Sequence, residues 1–215
     1  MLQSEEEKTN PIYKNKLILA EGKDDARFLF FLLQENDIND IQIRQYNGVD
    51  RLTSELKTLI AADGFDKVES LLIVRDCDNS TQSAIDSVNY SLRITGLMEK
   101  NIEPFTMNVQ NNRNIGFVLF PGIDENDKLY EKGTLEHLCL NIFKESFHKD
   151  KVKTYLDDFQ KYNSEFKRPH KNELHALFSF TDKFVGSKIG ETARDGGFDF
   201  NSPYLQPFLE MIKKM

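Results

Sequence analysis

The stretch Ser70-Leu71-Leu72-Ile73-Val74-Arg75-Asp76-Cys77-Asp78-Asn79-Ser80 decides the fold. Its apolar run shows no polar alternation, which is how a strand covered on both faces of a parallel sheet reads, and it breaks at once into acids and turn formers. Ser80 or Thr81 is placed to cap a helix running to about Leu97. Upstream, Lys16-Leu17-Ile18-Leu19-Ala20 repeats the pattern. That run stops at Glu21-Gly22, and Lys23 to Asn36 follows with a helical apolar face through Ala26, Phe30 and Leu33.

Between these two units, Ile41 and Ile43, with Gln45 and Tyr46, read as a strand closed by Asn47-Gly48. Helical spacing returns from Leu52 to Ala62. Thr106 to Val109 and Ile115 to Phe120 read as strands around the turn Asn111 to Asn114, with Pro121-Gly122 ending the second. A strand–helix alternation with short turns predicts an α/β fold: a mostly parallel sheet with helices on both faces. Function in such sheets gathers at the carboxyl ends of the strands. Beyond the acidic loop 123–132 the pattern turns helical, from Gly133-Thr134 through Leu135, Leu138 and Ile142. A charged helix over 149–166, an interruption at Pro169, a helix from Asn172 to Phe180 and a last one from Pro203 to Met215 complete the reading. The expected organisation is a flexible N-terminus over 1–12, an α/β core over 13–145, and a helical C-terminal extension over 146–215 packed on that core.

Composition narrows the function classes. With 215 residues and 39% apolar content the chain can fill a core, and with 35 acidic against 28 basic residues its net charge is −7. The average surface therefore repels nucleic acid, and any contact with DNA or RNA must be local. Cys77 and Cys139 are too few for a disulfide framework or a four-cysteine zinc site, and the four histidines have no metal spacing. The first residues are polar and acidic, and no apolar run reaches membrane-spanning length, so the expectation is a soluble cytoplasmic protein with no membrane partner.

Two acidic features fall at strand carboxyl ends. Gly22 lets the chain turn sharply after Glu21, exposing that carboxylate at the crevice. Asp76 and Asp78, two apart at a fraying strand end, can share one hard cation through oxygen ligands. Converging carboxylates repel unless a cation joins them, and Mg²⁺ or Mn²⁺ suits such a donor set. The same acids also suit a plainer part: a turn and helix cap after a buried strand.

A glutamate-glycine turn after the first strand and an Asp-x-Asp after a later one, here Glu21-Gly22 and Asp76-Cys77-Asp78, resemble the Toprim domain of topoisomerases, bacterial primases, recombination-repair proteins and OLD (overcoming lysogenization defect) nucleases. The resemblance implies a Toprim (Rossmann-like) fold over the core. Glu21-Gly22-Lys23-Asp24-Asp25 looks most like the OLD branch, in which an Asp four residues after the Glu binds metal, and Asp25 is the match; positions i and i+4 share a helix face. Gly133-Thr134-Leu135-Glu136 resembles the Leu-Glu pair at a helix start in OLD-type and stand-alone Toprim proteins, making Glu136 a further ligand. His137 stands where those relatives carry an acid. A basic residue that steadies the scissile phosphate is expected downstream, and Lys188 matches by position. Asp25 and Glu136 equally suit acids at helix N-termini, and Lys188 a surface lysine.

The resemblance thus implies metal ligands Glu21, Asp25, Asp76, Asp78 and Glu136, one or two Mg²⁺ or Mn²⁺ ions, and catalytic roles for Glu21 and Lys188. The activity implied is nuclease hydrolysis of DNA or RNA, with an ATPase partner supplied in trans as in OLD-like phage defence, since the chain has no Gly-rich phosphate loop. None of the seven tyrosines stands out as a strand-passage nucleophile. Rival readings are a non-catalytic metal-bearing module that binds nucleic acid or nucleotide for a partner, and a haloacid-dehalogenase-like phosphatase, which also places Asp-x-Asp after an apolar strand but lacks its later lysine and acidic pair here. A receiver would need threonine and lysine strand ends that are missing. Lys161-Tyr162 and Phe166-Lys167-Arg168-Pro169-His170-Lys171 could track a phosphate backbone or form a solvated face.

Overall fold

The computed structural model describes residues 11–124, 126–145, 149–162 and 168–215. Most of the expected N-terminal segment, and Phe166 and Lys167 of the basic-aromatic stretch, lie outside them. Ile12 is buried, and its N–H donates to the Asp63 carbonyl at 3.2 Å.

Five strands form one sheet: β1 (Lys16–Ala20), β2 (Ile41–Gln45), β3 (Ser70–Asp76), β4 (Thr106–Gln110) and β5 (Arg113–Phe120). Their spatial order is β2-β1-β3-β5-β4. β1, β2, β3 and β5 run parallel, and β4 returns antiparallel along β5 as an edge hairpin. The chain steps from β1 outward to β2, then crosses back to place β3 on the other side of β1. Connections therefore diverge between β1 and β3, and a crevice opens above their carboxyl ends.

Side-chain alternation sorts the strands into two cores. Ile18 and Ala20 of β1, with Leu72 and Val74 of β3, pack under α1 (Lys23–Glu35), α4 (Leu135–Ile142) and the C-terminal helices α6 (Pro169–Ser179), α7 (Ile189–Arg194) and α8 (Gln206–Lys213). Leu17, Leu19, Leu71 and Ile73 face α2 (Leu52–Ile60) and α3 (Thr81–Ile94). The C-terminal helices thus share one core with the sheet. Phe28 is central: fully buried, it meets the rings of Phe120, Phe198 and Phe200 edge-on at 5.5–6.3 Å. α5 (Lys149–Tyr162) packs against α6.

Pro169 begins α6 and does not interrupt a helix, because the first helical turn needs no N–H from that position. The short helix α7 has no counterpart in the sequence reading. It lies on α1 so closely that a side chain at Gly190 would meet Arg27 Cβ at 2.6 Å. Ser80 is the cap of α3, its Oγ accepting from the Ser83 N–H at 3.2 Å. Among the described residues no helix is long and apolar enough to cross a membrane.

Because Phe28 joins α1, β5 and the 198–200 segment, Phe28→Ala is expected to lower unfolding free energy by about 3–5 kcal/mol. The measurement is a urea titration, with a lower midpoint and a single transition. A separate early transition for the C-terminal helices would contradict the shared core.

Candidate metal centre

Glu21 follows the last residue of β1 and turns toward the α2–α3 side. Its Oε2 accepts from the Asp76 N–H at 3.3 Å and the Tyr46 hydroxyl at 3.4 Å. Burial pushes its pKa up, with Asp78 adding to the rise, while the Asp76 N–H, Arg75 and Tyr46 oppose it. Gly22 adopts φ −133°, extended backbone open to any residue, so the turn itself does not require glycine. The constraint is space: a Cβ there would stand 2.9 Å from Asp25 Oδ2.

Asp25, in the first turn of α1, is 9% exposed, and its Oδ1 is enclosed without a hydrogen-bond partner. Burial, then the neighbouring Glu21 charge, pushes its pKa up to about 7, with Glu136 and Asp24 adding to the rise. Asp76 ends β3, and alternation turns it to the α1 side beside Leu72 and Val74. Burial first, then Asp25, Glu21 and Glu136, raise its pKa well above the carboxylate range. Its Oδ1 accepts the Leu135 N–H at 2.9 Å, using a free donor at the start of α4.

α4 is carried to this point by a backbone clasp. Asp78 and Gly133 exchange N–H···O bonds of 2.8 Å in both directions. Gly133 has φ 139° and sits against Pro121, whose Cδ would be 2.7 Å from a Cβ there, so conformation and space both select glycine. Asp78 has φ 52°, and its side chain is exposed, on the Glu21 side of the cluster. Glu136 is 8% exposed, with Oε1 at 2.7 Å from Lys171 Nζ and Oε2 accepting from the Thr134 hydroxyl at 2.6 Å. Burial works to raise its pKa, yet those two hydrogen bonds, with the Lys171 charge and a backbone hydrogen bond, together outweigh it and hold the carboxyl below its usual value.

His137 has a local part: its Nδ1 accepts the Thr134 N–H at 3.1 Å, closing the cap of α4 in place of an acid. Burial, then nearby His170, brings its pKa to about 4, so it is the neutral ring that accepts. His170, read from sequence within a basic stretch, stacks on His137 with ring centroids 4.2 Å apart. Cys77 is packed in the core, its thiol pushed up to about 11 by burial.

The structure therefore gathers Glu21, Asp25, Asp76 and Glu136 into mutual electrostatic range at the β1–β3 switch, with Asp78 exposed beside Glu21. Among the described residues no three His, Cys, Asp or Glu side chains form a ready-made ligand cage. Lys188 is exposed at the start of α7, where its N–H donates to Glu191 Oε2 at 2.9 Å. The lysine that touches the cluster is Lys171, which sequence pattern placed only in a general basic stretch. Tyr46 was also missed as a site residue, although its position at the end of the strand flanking β1 was a usable signal.

An acidic cluster at the switch point of a mostly parallel sheet is the class that fold and site define. The chain belongs to the family described as a protein of unknown function (DUF3226), whose model matches residues 15–215. Among curated proteins no match is found. Similar solved structures include the C-terminal region of the Xanthomonas campestris pv. campestris OLD protein, with 11% identity, 94% of this chain and 96% of that one covered, and a TM-score of 0.48. Another is the hypothetical protein PH0156 from Pyrococcus horikoshii OT3, with 16% identity, 94% and 93% covered, and a TM-score of 0.47.

The raised pKa of Asp25 gives a signed pH dependence. Its folded value of about 7 lies above the ordinary 3.8, so the folded state holds the proton longer, and the contribution is complete below pH 4 and lost as pH rises through 7. In EDTA, Asp25→Asn is expected to gain stability over the wild type by on the order of a few kcal/mol, more at pH 8 than at pH 4. Urea unfolding at both pH values checks this. A pH-independent difference would contradict it.

Proposed function

We propose that this chain is a Toprim-type protein that uses Mg²⁺ or Mn²⁺ to hydrolyse phosphodiester bonds in DNA or RNA. One observation carries the reading: three carboxylates from separate elements, Glu21, Asp25 and Asp76, converge at the switch point, and the enclosed Asp25 Oδ1 has no partner. That oxygen and the remaining Asp76 oxygen fit a hard cation, whose charge would relieve their repulsion. Asp78 is placed to join from the exposed side. Glu136 fits less directly, because both its oxygens are engaged. A divalent cation held here would supply a bound water of lowered pKa and positive charge for the departing oxygen.

The chain's own groups support the rest. Lys171 carries the cation expected of a phosphate-steadying residue, and release from Glu136 would free both partners. Tyr46 is fully buried, its hydroxyl raised above its usual pKa by burial and by Glu21, which disfavours a phenolate nucleophile and favours attack by water. An ATPase acting in trans, in a phage-defence setting, belongs to the same reading.

A second reading, a metal-bearing module that binds nucleic acid or nucleotide for a partner without cleaving it, draws support from the engaged Glu136, which leaves free carboxylate oxygens for fewer cations. The test incubates the protein with plasmid, single strands and tRNA in Mg²⁺, Mn²⁺ or EDTA. Cleavage should require the cation and disappear in Glu21→Ala and Asp76→Ala, while Lys171→Met should slow it about 10²-fold or more and Lys188→Met far less. Cleavage that survives EDTA or both alanine substitutions sinks the proposal. Binding without cleavage, even with an ATPase partner added, selects the second reading.

A further inference from the structure

Arg75 lies between Val74 and Asp76 at the end of β3, and alternation sends its side chain to the α2–α3 side with Ile73 and Cys77. It is 7% exposed, and its Nε and Nη1 are enclosed without hydrogen-bond partners. No ion pair among the described residues includes it. A guanidinium is always charged, and enclosing its N–H groups unpaired is strongly unfavourable, so the arrangement calls for an anion. Glu21 and Tyr46 both feel its charge, which sets it at the β1–β3 crevice. Asp25, Asp76 and Glu136 gather on the other face of β3. The crevice thus has an acidic wall suited to a cation and, across one strand, a cation with unused donors.

We infer that Arg75 is an anion-binding residue whose long side chain turns out of its enclosed position to take a phosphate group of a nucleic-acid strand laid across the β1 and β3 ends, its N–H groups then donating to the phosphate oxygens. The identity of the ligand rests on the phosphodiester reading; the binding itself needs neither cation nor cleavage. The cluster on the acidic wall would repel the same phosphate, so Arg75 fixes which side of the strand end it occupies.

The test measures binding of a labelled single-stranded oligonucleotide to the full chain in EDTA at fixed low salt. Its phosphodiester form is compared with the same sequence carrying uncharged methylphosphonate linkages. Arg75→Met is expected to weaken the phosphodiester form about tenfold or more, with Arg75→Lys restoring part. Removing the phosphate charge should weaken the wild type and have a smaller effect in Arg75→Met. In parallel, the arginine Nε–H resonance that disappears in Arg75→Lys should shift when inorganic phosphate is titrated into the wild type, a readout that stands even where Arg75→Met fails to fold. Equal affinity of Arg75→Met and wild type, an equal methylphosphonate penalty in both, or an unmoved resonance overturns the inference. Arg75-dependent binding in a protein that cleaves nothing would leave it standing while the hydrolytic reading fails; cleavage unimpaired by Arg75→Met would do the reverse.

Discussion

Electrostatic repulsion among carboxylates held out of water is the constraint on which the rest of the structure turns. Burial raises the free energy of each charged acid, and each neighbour raises it further. Asp25 and Asp76 carry the strongest effect, Glu21 a weaker one, and Glu136 escapes through Lys171 and Thr134. A protein that only needed stability would replace such a group with apolar side chains. The surrounding fold instead holds it together: a parallel sheet brings two strand ends side by side, α1 begins immediately above Glu21, and the Asp78–Gly133 clasp delivers the start of α4 to Asp76.

These supports are local choices in sequence with consequences across the molecule. Glycine at 22 leaves room for the Asp25 carboxylate, and glycine at 133 lets the chain pass Pro121. The two faces of β3 divide the charge: alternation places Asp76 with the acids under α1 and Arg75 with the core under α2 and α3. Lys171 adds a second cation from α6, so the C-terminal helices contribute to the electrostatics of the crevice as well as to its covering.

The sheet was legible because buried parallel strands leave uninterrupted apolar runs, and Lys16–Ala20 and Ser70–Val74 have little other reading. Glu21 and Asp76 were legible as site candidates because strand ends can be located from those runs. Asp25 and Glu136 depended on resemblance, since an acid in a first helical turn looks the same whether it meets other acids or only the helix dipole. Lys171 was read only as part of a basic stretch, and Arg75 escaped altogether. The first reaches the cluster through packing of α6 on α4, which local pattern does not encode; the second sits in a strand where an arginine ordinarily marks an exposed end. Helix α7 was lost among the surrounding glycines, of which Gly190 serves close packing on α1, and Pro169 was misread because proline starts helices as readily as it stops them.

Whether the acids at the β1–β3 switch form a cation site is decided by titrating Mn²⁺ into metal-free protein at pH 7 by calorimetry in two buffers of different ionisation enthalpy. Saturable binding with release of protons is expected, because a cation drives the acids of raised pKa to their charged forms, together with loss of that binding in Asp76→Asn. Absence of binding, or binding that releases no protons and is indifferent to Asp76→Asn, would contradict it.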